Sequence, residues 1–142
     1  MTTIFDKILS GEIPCDEVFS DNKCLAFKDI TPQAPTHILI IPRKPIPSLQ
    51  DIKKEDQELL GHLLLKGTEI ANAAGLESWR TIINTGEEAG QTVFHLHIHI
   101  IGGRKLSWPP GYKFIFHGFF LINQHDCLTG SVTDSSQPVY AL

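Results

Sequence analysis

Long apolar runs are missing from this 142-residue chain, and so is any excess of positive charge. No stretch approaches the roughly 20 apolar residues needed to cross a bilayer, so a membrane-spanning protein is not expected. Net charge is −4, from 12 Lys and Arg against 16 Asp and Glu. That balance repels a phosphate backbone, and nucleic acid is not expected as a partner. A pocket for one phosphate stays open, because backbone N–H groups and imidazoles can build it without net positive charge. Cysteine is scarce: Cys15, Cys24 and Cys127 are odd in number and contain no C-x-x-C pair. This argues against a disulfide framework or a structural zinc site and for a reducing compartment. The N-terminal segment carries Asp6 and Glu12 and has no apolar h-region, so no signal peptide is readable. Internal repeats and low-complexity linkers are also missing.

What is present suits one soluble domain. Hydrophobic residues make up 42% and charged residues 20%, enough to bury a single core. Ile4, Phe5, Ile8 and Leu9 form one apolar face of a short helix that Gly11 and Pro14 end. Val18-Phe19 and Leu25-Ala26-Phe27, separated by a Ser20–Lys23 turn, read as a hairpin. His37-Ile38-Leu39-Ile40-Ile41-Pro42 reads as a buried strand. From about Lys53 to Ala74, Leu59, Leu63, Ile70 and Ala74 line a helical stripe. Asp51, Glu55 and Asp56 favour its start, and Gly75 stands where a C-terminal cap belongs. Gly67 inside it is unfavourable by about 1 kcal/mol relative to alanine. Trp79 to Asn84 and Thr92 to Ile101 read as two further strands around the turn Thr85–Gln91. The expected fold is α+β, a single domain with a mainly antiparallel sheet and one long helix across it.

The chemistry concentrates in His95-Leu96-His97-Ile98-His99-Ile100-Ile101. In a strand the three histidines share one face while Leu96, Ile98 and Ile100 share the other. Successive imidazoles then stand roughly 6–7 Å apart, within reach of one small polar ligand. Neutral imidazole is nucleophilic near neutral pH, and a neighbouring histidine can stabilise phosphoryl oxygens or assist a leaving group. A phosphorus ester or amidate can thus be cleaved in two displacements through a phospho-histidine adduct. Three other readings compete. One is a solvated polar strand face. Another is a metal site, which no carboxylate or cysteine of this segment completes. The third is a pH switch without catalysis.

This segment resembles the alternating signature of the histidine-triad (HIT) superfamily. The likeness extends through Cys24–Ile30, Thr31-Pro32-Gln33-Ala34-Pro35-Thr36-His37, Gly102-Gly103-Arg104 and Trp108-Pro109-Pro110-Gly111. It covers nearly all of Ile4 to Gly111 and is nearest to the nucleoside phosphoramidase branch, often called Hint. The dinucleotide-polyphosphate hydrolase branch lacks the Gly102-Gly103 and Trp108–Gly111 ending. The nucleotidyl-transferase branch typically has glutamine where this chain has His99.

The resemblance implies that His97 is the nucleophile on the α-phosphorus of an adenylate. His99 would contact the phosphate and assist the leaving group, His37 would complete the cluster, and His95 would orient the nucleophile. Asp29, with Ile30 beside it, would hold the ribose hydroxyls, and a carboxylate suits a cis-diol because it only accepts hydrogen bonds. Asn84 would lie on the phosphate side, and Gly90-Gln91-Thr92 would cradle the phosphate. The substrate implied is a purine nucleotide of AMP type, the assembly a homodimer paired edge to edge, the location cytoplasmic with access to the nucleus. Neither a metal nor a cofactor is implied. An AMP-binding sensor with little turnover and a metal-binding regulator are the competing functions.

The likeness stops after Gly111. The expected division is a HIT domain over residues 1–111 and an atypical, poorly ordered C-terminal extension over 112–142. Tyr112 to Ile122 is strongly apolar and the remainder is polar, an abrupt change that suggests an alternative transcript or a frameshifted exon. Such an extension would alter substrate selectivity or obstruct dimer contacts. His62, His117 and His125 are given no role.

Overall fold

The computed structural model describes residues 1–110; the extension and its histidines lie outside the described residues. Residues Met1–Ser107 form one compact unit. It opens with helix α1 (Ile4–Leu9). Thr3 and Asp6 close a capping box there: the Thr3 N–H donates to Asp6 Oδ2 at 2.7 Å, and the Asp6 N–H donates to Thr3 Oγ1 at 3.2 Å. Two orphan donors of the first turn are satisfied by one another's side chains.

Strands β1 (Glu17–Ser20), β2 (Cys24–Lys28) and β3 (Thr36–Pro42) follow, then helix α2 (Gln57–Ala73), strand β4 (Trp79–Ile82) and strand β5 (Ile98–Gly102). They form one five-stranded sheet in the order β1-β2-β3-β5-β4, with every neighbouring pair antiparallel. The expected α+β class and the expected hairpin are what the chain adopts. Helix α2 ends in a Schellman arrangement, with Gly75 at φ 76° and the Leu76 N–H donating to the Ala71 carbonyl at 3.1 Å.

Alternation along the strands divides the interior in two. Ala26, Ile38, Ile40, Ile98 and Ile100 point to the α2 side and pack with Leu63, Ile70 and Ala71. Leu25, Phe27, Leu39 and Ile41 point the other way and pack with Phe5 of α1. The short helix covers only part of that second face, and the histidines occupy the same side.

Three boundaries differ from expectation. The last strand begins at Ile98, not near Thr92. Continuing the register Ile40↔Ile98 would pair Leu96 with Pro42, and Pro42 has no N–H to offer the ladder. Leu96 N–H instead donates to the Ile46 carbonyl at 2.6 Å. Strand β4 stops at Ile82 rather than Asn84, which in this register would face His97, ahead of the start of β5. The helix begins at Gln57 after a separate 3-10 turn, Lys54–Asp56, rather than at Lys53. No helix among the described residues is long and apolar enough to cross a membrane.

Gly67 acquires a reason. An ideal Cβ there would lie 3.2 Å from Ile100 Cδ1 and 3.3 Å from Ile40 Cδ1, so the weak helix former permits close approach of α2 to the sheet. Gly67→Val is expected to destabilise the fold by about 1–3 kcal/mol through overpacking. Urea unfolding that gives an unchanged midpoint for this variant would contradict the packing argument.

Candidate active site

His97 immediately precedes β5, and its ring is buried. Its Nδ1 lies 2.7 Å from the His95 carbonyl oxygen. A carbonyl only accepts, so Nδ1 carries the proton and the neutral ring keeps its lone pair on Nε2. Phe5 packs edge-on against the ring with centroids 5.1 Å apart. Burial pushes the His97 pKa down, outweighing the His95 carbonyl hydrogen bond that pulls it up, so the neutral, nucleophilic form is favoured.

His99 sits on β5, directly across from Leu39 of β3. Its ring centroid is 5.0 Å from that of His97 and 5.2 Å from that of His37. A chain of hydrogen bonds assigns its protons. The backbone N–H of Gln33 donates to His37 Nδ1 at 3.1 Å, so neutral His37 is protonated at Nε2. That nitrogen lies 2.9 Å from His99 Nδ1 and 3.4 Å from Asp29 Oδ2. Donation to His99 Nδ1 leaves the His99 proton on Nε2, a buried atom with no hydrogen-bond partner. An orphaned donor beside a bare nucleophilic nitrogen suits an incoming phosphoryl group. Burial, with His97 and His37 as neighbouring bases, pushes the His99 pKa down to about 4. Burial also lowers His37, against the opposing pull of Asp29.

His95 touches His97 through its backbone. Its carbonyl, not its imidazole, orients His97. The ring is fully buried and donates from Nε2 to the Pro42 carbonyl at 2.8 Å. Its Nδ1 lies 3.5 Å from Asp6 Oδ1, which joins the cap of α1 to the site.

Asp29 follows β2 and is held by the Thr31 N–H on Oδ1 at 2.8 Å, with Oδ2 towards His37. Ile30 beside it is almost wholly exposed. A cavity of about 280 Å³ adjoins this corner, lined by residues that include Val18, Lys28, Asp29, Pro32 and His37. Asp29, His37 and His99 also place one ligand atom each within 4.8 Å of one another, so this corner has donors for a cation as well.

Gly90 lies beside Asn84 in the loop ahead of the histidines. Gly90 has φ 91°, and a Cβ there would stand 3.7 Å from Asn84 Nδ2. The Gln91 side chain is committed internally: Oε1 accepts from the Gly86 N–H at 2.9 Å, and Nε2 donates to the carbonyls of Pro47 and Val93 at 2.7 and 3.1 Å. Gln91 therefore shapes the loop, while Thr92 is exposed.

Sequence reading missed Gln33, Phe5, Asp6 and the mechanical role of Arg104. Arg104 donates from Nε and an Nη to the Gln33 carbonyl at 3.1 and 3.0 Å, steadying the peptide whose neighbour sets the His37 tautomer. Gly103, at φ 88°, lets this crossing happen, since a Cβ would meet Pro35 Cβ at 3.1 Å. The Gly102-Gly103-Arg104 run was the available signal.

A HIT domain model matches residues 10–106, more than half of the chain. The chain therefore belongs to the HIT family. It is 58% identical over 110 residues to an uncharacterised HIT-like protein of Synechocystis, covering 77% of this chain and 96% of that one. Among solved structures it resembles a HIT family hydrolase from Legionella pneumophila, at TM-score 0.76 and 46% identity, covering 78% of this chain and all of that one. A histidine triad protein from Clostridium difficile matches at TM-score 0.71 and 42% identity, covering 78% of this chain and 95% of that one.

The lowered histidine pKa values make stability depend on pH with a definite sign. Unfolded histidine takes up protons near 6.5, whereas folded His99 resists until about 4. The unfolded state therefore binds more protons in that window, and stability falls as pH drops from about 6.5 towards 4. Denaturant midpoints are expected to fall across this range, and to fall less in His99→Phe. Equal pH dependence in both proteins would refute the assignment.

Proposed function

We propose that the chain is a hydrolase that cleaves the P–N bond of purine nucleoside 5′-phosphoramidates through a nucleotidyl adduct on His97. The observation that carries this reading is the His97 tautomer: Nδ1–H tied to the His95 carbonyl at 2.7 Å, with Nε2 bare. In the first displacement Nε2 bonds to phosphorus and the P–N electron pair leaves with the amine, which takes up one proton. In the second, water bonds to phosphorus, releases a proton and returns His97 as a neutral ring. The net reaction consumes one water and yields the nucleoside monophosphate and the amine.

His99 supports charge on the phosphoryl oxygens through its unpartnered Nε2–H. His37 holds His99 in that tautomer and is a positioning residue. Asp29 lines the adjoining cavity, where its carboxylate would grip a ribose diol. Gly90 leaves room for a phosphate against the loop. The name HIT family hydrolase carried by the Legionella relative agrees with hydrolysis as the reaction class. The partner expected in solution is a second copy, paired along β4, which is an edge of the sheet, with Leu64 and Leu65 exposed on α2.

Steady-state hydrolysis of a fluorogenic adenosine phosphoramidate by the full chain tests the chemistry. His97→Ala is expected to lower kcat by about a thousandfold or more while AMP still binds. Turnover that survives this substitution would sink the nucleophile assignment, and AMP binding by wild type without turnover would favour a nucleotide sensor. Sedimentation velocity tests the assembly. A species at the 15.8 kDa monomer mass at micromolar concentration would count against pairing.

A further inference from the structure

On the α2 side of the sheet, away from the imidazole cluster, three side chains of metal-ligating type converge. Asp21 lies in the β1–β2 turn, Cys24 opens β2, and His62 projects from α2. One ligand atom from each lies within 4.8 Å of the other two. Hydrolysis at His97 gives these residues no work. Their His62 Nε2 to Asp21 Oδ2 contact is 2.7 Å, and Cys24 is fully buried.

We propose that Asp21, Cys24 and His62 form a zinc site with three protein ligands and one water. The donor set decides the metal. A sulfur, an imidazole nitrogen and one carboxylate match zinc, whereas magnesium and calcium take oxygen ligands. The turn is already organised: Asp21 Oδ1 accepts from the Lys23 and Cys24 amides at 2.8 and 2.7 Å, so Oδ2, which meets His62, is turned towards the centre. Arg43 braces the same turn, donating to the Asp21 carbonyl at 2.7 Å and Ser20 Oγ at 2.8 Å. Such outer partners hold ligands in place. Side chains of His62 and Asp21 remain about one-fifth exposed, at 20% and 22%, which admits the ion and its water.

Binding breaks two proton contacts and forms three metal bonds. The thiol proton leaves to solvent as sulfur bonds zinc, and His62 bonds through Nε2 with its proton moved to Nδ1. Carboxylate and thiolate together cancel the charge of the ion. Lys66 and Arg43, the nearby cations acting on Cys24, then face a neutral centre rather than a positive one. The site clamps the hairpin to α2 from two segments 38 residues apart or more, so its expected effect is on stability.

Cobalt(II) titration of the full chain, followed by displacement with zinc, tests this. The expected result is one equivalent of cobalt with a near-ultraviolet thiolate charge-transfer band that zinc abolishes. Cys24→Ser should lose the band, and His62→Gln, which leaves the core untouched, should weaken zinc binding at least tenfold. His97→Ala should keep the band, which separates this proposal from the hydrolase reading. Failure to bind cobalt, a band that survives Cys24→Ser, or zinc affinity unchanged in His62→Gln would each overturn it.

Discussion

The hydrogen bond between His97 Nδ1–H and the His95 carbonyl decides which nitrogen of the His97 ring keeps its lone pair, and much of the structure serves to make it. A carbonyl engaged in a regular ladder would face a neighbouring strand. Pro42 ends that ladder, because it has no N–H to pair with the residue across from it. Freed from pairing, residues 95–97 turn their polar groups to one another and to the loop after β3. The proline thus sets the His97 ring through backbone geometry, from a strand two earlier in the sequence.

The sheet separates two duties by alternation. Its α2 face is filled with aliphatic side chains and tolerates so little space that the helix carries a glycine at the contact. The opposite face is shared between a small apolar cluster around Phe5 and the histidines. That arrangement gives the imidazoles a dry floor and aromatic walls, which lowers their basicity and keeps them neutral. Desolvation of the cluster is therefore the same physical cause for nucleophilicity and for sensitivity of the fold to acid.

Legibility in the sequence followed locality. The period-2 pattern from Leu96 to Ile100 announced which side chains share a face, and it held even where the ladder itself was absent. The caps of α2 and the hairpin between β1 and β2 were readable from Gly75 and from the polar Ser20–Lys23 turn. Boundaries were misplaced where pairing depended on a distant residue, as with Pro42 opposite Leu96. Tautomers were not readable at all, since they depend on the Gln33 amide and on carbonyls brought in by the fold. His62 was passed over for the same reason: its partners lie around 40 positions earlier, and only the packing of α2 on the sheet brings them close.

The capping box of α1 carries one more meaning. Asp6 closes the first helical turn through Oδ2 and approaches His95 Nδ1 through Oδ1, while Phe5 of the same turn packs edge-on against the His97 ring. Helical turns can open locally on a free-energy scale of their own. Here opening of α1 would strip Phe5 from the His97 ring and Asp6 from His95 in one event. The assembly of the imidazole cluster is thereby tied to the pairing of Thr3 with Asp6.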